Sequence, residues 1–229
     1  MPHIELGLDT FGDITVDAAG APLSQAESLR NVVTQAVLAD ALGIDAFGVG
    51  EHHRPDFSIS APEVVLAAIA TTTTRIALGS AVTVLSTDDP IRVFQRFSTL
   101  NALSNGRAEV ILGRGSFTES YPLFGYDLNN YNELFETKLA KFAALVKPGN
   151  GGIYPPIESG TLRTWVGVGG SPESVVRAAR YGFPLTLAII GGSPQRFRPY
   201  VDLYLQSLER FGHAVQPIAV HSPGHVAAT

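Results

Sequence analysis

The 229-residue chain is 45% hydrophobic and 16% charged, against a usual charged share of roughly 25%, which excludes a disordered or fibrous chain and leaves apolar material for a large core. With no cysteine it has no disulfide framework, thiolate metal site or catalytic thiol. A formal net charge of -5 with no basic run argues against a nucleic-acid partner, Met1 to Glu5 lacks the pattern of a signal peptide, and no apolar run is long enough to span a membrane. The expectation is a soluble, cytoplasmic protein with one domain covering residues 1–229.

Short apolar runs alternate with amphipathic stretches. Ile4 to Leu8 predicts a strand. From Ser24 to Leu42 the residues Leu29, Val32, Val33, Ala36, Val37 and Ala41 recur at spacings of three and four, a helical face that Gly43 ends. Ala46 to Val49 predicts the next strand. Ser60 and Glu63 have capping-box spacing at the start of a second helix. Arg75 to Leu85 is strand-like, Pro90 to Leu103 helical, Ala108 to Leu112 a strand and Tyr131 to Val146 a helix. Lys147 to Gly152 is a loop, taken as a connection. Thr164 to Val168 is a strand, followed by a helix over Ser171 to Tyr181 with Pro172 in its first turn. Leu185 to Ile190, Pro194 to Phe211 and Ile218 to Val220 are strand, helix and strand.

The strands are near-continuously apolar, as expected of a parallel sheet buried on both faces. Such alternation fits either a doubly wound sheet or an eight-stranded barrel. Seven strand and six helix segments fall short of the eight units and about 250 residues of a complete barrel. The chain is therefore expected to lack a last helix-strand-helix portion.

In a parallel barrel, chemistry gathers where strands end. The ends carry Asp9 to Phe11, Glu51 to Asp56, Ser80 to Thr83, Arg114 to Ser116, Gly169 to Ser171, Gly191 to Ser193 and His221 with Ser222. Gly169-Gly170-Ser171-Pro172 and Gly191-Gly192-Ser193-Pro194 each lead from a strand into a helix. That arrangement offers backbone N–H groups and a positive dipole end to a phosphate, and Arg114 can add a charge-assisted contact. The alternative for each copy is a plain turn and cap. No dinucleotide fingerprint follows the first strand.

Three roles are open to His52 and His53. Adjacent histidines are poorly spaced for one metal, so no metal site is expected. One imidazole can be a structural group in the barrel mouth. The favoured role is catalytic or ligand-positioning, because imidazole titrates near neutral pH. There is no nucleophile elbow and no close carboxylate pair, so chemistry carried by a cofactor fits better.

Together the segments Phe47-Gly48-Val49-Gly50-Glu51-His52-His53, Ile76 to Val82, Leu103 to Arg107, Gly113-Arg114-Gly115, Phe124 to Asp127 and Trp165 to Ser171 resemble the bacterial luciferase-like family of flavin-dependent monooxygenases and oxidoreductases. The resemblance covers nearly the whole chain and implies a (β/α)8 TIM barrel. It implies reduced FMN bound at the strand ends, with Arg114, Ser116, Gly170, Ser171 and Ser174 around the phosphate. Ala81 and Val82 would lie against the flavin ring through a non-prolyl cis peptide, and His52 would be the catalytic histidine. The activity implied is oxidation of a small organic substrate with dioxygen, with a separate flavin reductase and a homodimer as partners. A deazaflavin coenzyme used for hydride transfer, a non-catalytic flavin-binding subunit and a barrel for a phosphorylated sugar are the alternatives. Compared with the family, the chain lacks an insertion between the fourth helix and the fifth strand, and a C-terminal portion.

Overall fold

A computed structural model describes residues 4–147 and 152–223. Most of the loop expected at Lys147 to Gly152 lies outside the described residues. The chain divides into two compact units, Met1–Arg163 and Thr164–Thr229.

In the first unit the parallel strands β1 (Gly7–Thr10), β2 (Ala46–Val49), β3 (Ala77–Ser80) and β5 (Ala108–Gly113) lie in that order, and the two-residue β4 (Thr83–Val84) pairs with β5. Helices α1 (Gln25–Leu42), α2 (Pro62–Ala70), α3 (Pro90–Leu103), the short α4 (Ser120–Leu123) and α5 (Tyr131–Leu145) connect or follow the strands. Helix α1 keeps the expected limits because both ends are capped. The Ser24 hydroxyl accepts the Glu27 N–H at 3.2 Å, the Glu27 carboxylate accepts the Ser24 N–H at 2.9 Å, and Gly43 takes the left-handed conformation at φ 85°. Helix α3 begins at Pro90, with the Asp89 carboxylate accepting the N–H groups of Ile91 and Arg92.

Three local expectations change. The first strand starts at Gly7 rather than Ile4, since its ladder opens with Gly7 opposite Ala46, so Asp9 and Thr10 belong to the strand. Ser60 and Glu63 form no capping box: Pro62 is the first helical residue, which makes Ala61 the cap, and Glu63 pairs instead with Arg96 at 3.1 Å. The stretch Arg75 to Leu85 is not one strand. The Asp40 carboxylate accepts the N–H groups of Thr74, Arg75 and Ile76, so pairing begins at Ala77. The chain then turns at Ala81 and Val82, and Leu85–Thr87 is a single 3-10 turn.

Leu78, Val110 and Leu112 of the sheet, Leu66 and Ile69 of α2, Phe94 and Phe97 of α3, and Phe135 and Phe142 of α5 form a fully buried core. Arg107, just before β5, donates to the carbonyls of Ser104, Ile76, Ala70 and Thr73 and to the Thr73 hydroxyl, at 2.8 to 3.1 Å.

In the second unit, β6 (Arg163–Val168), β7 (Leu185–Ala188) and β8 (Ile218–His221) are parallel, with α6 (Pro172–Tyr181) and α7 (Arg198–Phe211) between them. The two helices pack on each other, and buried Tyr204 donates its hydroxyl hydrogen to the Phe183 carbonyl at 2.6 Å. Burial on both faces holds for the interior strands but not for β1 and β8, whose side chains are largely half-buried or exposed.

Candidate active site

The best-developed cluster stands beyond the end of β2. There Gly50 allows a close approach: a side chain at this position would land on the Phe11 ring and come within 2.9 Å of the Ala81 carbonyl oxygen. His52 follows, its N–H tied to the Ile59 carbonyl at 2.9 Å and its ring only 6% exposed. Phe11, Phe57 and Phe117 surround that ring, with centroids at 4.7, 4.5 and 4.8 Å. Arg54, ion-paired to Asp56, lies over Phe117 at 4.6 Å.

Nδ1 of His52 is 3.4 Å from a Glu119 carboxylate oxygen, and the same oxygen accepts the His53 backbone N–H at 3.4 Å. Nε2 of His53 lies 2.9 Å from one oxygen of Glu51, whose second oxygen accepts the Val84 N–H at 3.0 Å. The neighbouring imidazoles are tuned in opposite directions. Burial lowers the pKa of His52 and outweighs the nearby Glu119 carboxylate, whereas the hydrogen bond to Glu51 raises that of His53 against a smaller burial effect. Near neutral pH His52 is the uncharged ring, and His53 is the better proton holder.

Ala81 and Val82 are joined by a non-prolyl cis peptide, the geometry the resemblance implies, and both are half-buried between β3 and β4. The Ala81 N–H bonds the Val49 carbonyl at 2.8 Å, and a side chain at Gly113 would meet Val82. Arg114 follows directly. Its guanidinium lies 4.7 Å from the Tyr131 ring centroid and donates to the Asn132 amide oxygen at 2.9 Å. No carboxylate pairs with it among the described residues, so its charge is available to an anion. Ser116 is exposed on the same loop.

Gly170, Ser171 and Ser174 lie together in the second unit. Ser171 caps α6: its hydroxyl accepts the Ser174 N–H at 3.4 Å and donates to the Glu173 carboxylate at 2.7 Å. A side chain at Gly170 would meet nothing within 4 Å, and the buried Ser174 hydroxyl has no partner among the described residues. The Gly191 to Pro194 loop differs from it. That loop enters a 3-10 turn, Pro194–Phe197, before α7, and Ser193 caps nothing but bonds the Gln195 side chain. The expected repetition of one anion-binding form therefore does not hold, because only the first loop opens directly onto an α-helix.

His52, Ala81, Val82, Arg114 and Ser116 thus share the strand-end side of the first unit, and the remaining expected residues share one helix start in the second. Glu119, Phe57 and Phe117 are not singled out from the sequence, and Phe11 and Glu51 stand there only as strand-end residues with no role of their own. Only the short interval between Glu51 and His53 could have suggested one of these pairs, since Glu119 is 66 residues from His53. No cluster of three or more metal-binding side chains occurs among the described residues, and no described helix is long and apolar enough to cross a membrane.

The strand-helix order and strand-end cluster define a parallel α/β protein of the barrel class. Residues 10–229 match the luciferase-like monooxygenase family, and the chain belongs to that family. It is 25% identical over 225 residues to the alkanal monooxygenase alpha chain of Photorhabdus laumondii, a match covering 91% of this chain and 61% of that relative. It has the fold of the monooxygenase RslO1 from Streptomyces bottropensis (TM-score 0.81, 20% identity, covering 96% of this chain and 70% of that one). The FMN complex of the oxygenating component of 3,6-diketocamphane monooxygenase from Pseudomonas putida is similar (TM-score 0.79, 18% identity, 94% and 66%). So is an F420-dependent secondary alcohol dehydrogenase bound to an F420-acetone adduct (TM-score 0.77, 15% identity, 95% and 68%).

Proposed function

We propose that the protein is an FMN-dependent monooxygenase acting on a small organic substrate, with His52 as its catalytic residue. The observation that carries this reading is the setting of His52: an imidazole almost removed from water, boxed by three aromatic rings and held neutral near pH 7. Family membership supports it.

The residues fit the cofactor. In the first unit, Arg114 carries a charge with no carboxylate on it among the described residues, and Ser116 is the exposed hydroxyl two residues on, suited to the phosphate. The half-buried Ala81 and Val82 offer an apolar surface for the ring system. In the second unit, the open Gly170, the Ser171 cap and the Ser174 hydroxyl, unpartnered among the described residues, have the chemistry of a phosphate-binding helix start. When bound, reduced flavin supplies the electrons and activates dioxygen. The protein holds it, excludes water with Phe11, Phe57 and Phe117, and moves a proton at the His52 ring. A separate reductase supplies the reduced flavin, and the enzyme works as a homodimer.

Titrating the protein with reduced FMN, riboflavin and a deazaflavin coenzyme tests this function. FMN should bind well over tenfold tighter than riboflavin, and Arg114→Ala should erase most of that difference. His52→Ala should leave FMN bound and slow oxygen-dependent turnover. Preference for the deazaflavin would move the reaction to hydride transfer. Flavin binding without turnover would make the chain a binding subunit, and binding of none would overturn the reading.

A further inference from the structure

Glu119 has no role in the function described above, yet its carboxylate touches both histidines of the strand-end loop. One oxygen stands 3.4 Å from His52 Nδ1 and 3.4 Å from the His53 backbone nitrogen. A carboxylate only accepts hydrogen bonds, so its approach to this side of the ring favours a proton on the His52 nitrogen that faces it. In a neutral imidazole the other nitrogen is then left with its lone pair. The aromatic rings that flank it, Phe11, Phe57 and Phe117, offer no side-chain hydrogen-bonding group that would hold the opposite tautomer. The charged groups acting on the ring are Glu119, Arg54, Glu51 and Asp56, the last of them ion-paired to Arg54. Arg54 opposes a second proton, and the Glu51 carboxylate is engaged with His53 and Val84.

Glu119 is also well placed to hold this geometry. It immediately precedes α4, and its side chain is 23% exposed. Phe117, two residues earlier on the same loop, covers His52 with its ring. One short segment thus supplies the ring's apolar cover and its polar partner.

We propose that Glu119 is a positioning residue that accepts the Nδ1 proton of His52, fixes the neutral ring in its Nδ1–H tautomer and leaves Nε2 as the basic atom of the site. Neutral imidazole in water favours the opposite tautomer, with the proton on Nε2, so a ring protonated on Nδ1 reports a specific acceptor. The proposal rests on reading His52 as the proton-handling residue, but its test reads the ring directly, without cofactor or substrate.

The test is long-range 1H–15N correlation of the 15N-histidine-labelled chain at a pH where His52 is neutral. The sequence holds six histidines, and the signals lost in His52→Gln identify His52. The wild type should show a protonated Nδ1 and a bare Nε2. Glu119→Ala should shift the proton to Nε2, whereas Glu119→Gln, which keeps an oxygen acceptor, should restore the wild-type pattern. A wild-type ring protonated on Nε2, or an Nδ1–H ring that persists in Glu119→Ala, overturns the proposal. If Glu119→Ala fails to fold, as collapse of the other histidine signals towards those of an unfolded chain would reveal, the wild-type spectrum and Glu119→Gln decide it: Nδ1–H in both supports the proposal, and Nε2–H in either overturns it. Turnover of His52→Ala separately tests the catalytic reading, so either idea can fail alone.

Discussion

Glu51 joins His53 to the chain beyond the cis peptide: one carboxylate oxygen lies 2.9 Å from His53 Nε2, and the other accepts the Val84 N–H at 3.0 Å. This bridge gives His53 a charged partner that His52, among aromatic rings, has only in the more distant Glu119. Adjacent residues of one loop consequently respond to pH with opposite sign.

His53 is raised above 6.5 in the folded chain by Glu51, so its stabilising contribution is complete below 6.5 and disappears as pH rises through the folded value. His52 is lowered by burial, so its contribution is present above 6.5 and drains away as pH falls through the depressed value. Urea unfolding of His53→Gln should show its greatest deficit against wild type on the acid side of about pH 6.5, and His52→Gln its greatest deficit on the alkaline side. Parallel pH curves for the three proteins would contradict the assignment.

Gly50→Ala should destabilise the chain by about 1–3 kcal/mol, because the new methyl group has to displace Phe11 or the Ala81 backbone. Gly169→Ala has open space within 4 Å and should stay within about 0.5 kcal/mol of wild type. Urea midpoints at constant slope separate the two. In Gly50→Ala, a changed His52 ring signal would show that the aromatic box has moved.

Arg96 bonds Glu63 and Asp88. Glu63 is 10% exposed, and burial raises its pKa in spite of that partner. Arg96→Met should cost about 1–3 kcal/mol, less than for a fully buried pair because the arginine side chain is 38% exposed. A carboxyl raised above 4.5 is least troublesome when protonated, so the deficit should widen as pH rises from about 5 to 7. Adding Glu63→Leu should recover much of the loss; no recovery would mean that Arg96 acts mainly through Asp88.

Helices α1 and α3 could be read directly because local chemistry sets their ends: Ser24 with Glu27, Gly43, and Asp89 before Pro90. The Ser60 to Glu63 spacing misleads because a proline at the first helical position moves the cap by one residue. The run from Arg75 to Leu85 hides its break from composition, since Ala81 and Val82 are as apolar as their neighbours; the family resemblance points to a cis peptide there, and the meeting with Gly48, Gly50 and Gly113 is visible only in space. His52 could be proposed from its loop. Its carboxylate partner could not, because pairing with Glu119 depends on how two strand-end loops converge, and nothing local in the sequence encodes that.

Arg107 uses all five of its N–H hydrogens on oxygens set around it by the end of α2, the start of β3 and the end of α3. The position therefore selects a planar fork, not a positive charge. A lysine would keep the charge count unchanged but has only three hydrogens on one nitrogen for five fixed directions. Arg107→Lys, neutral by charge, would thus be a change of shape at the junction where three elements meet.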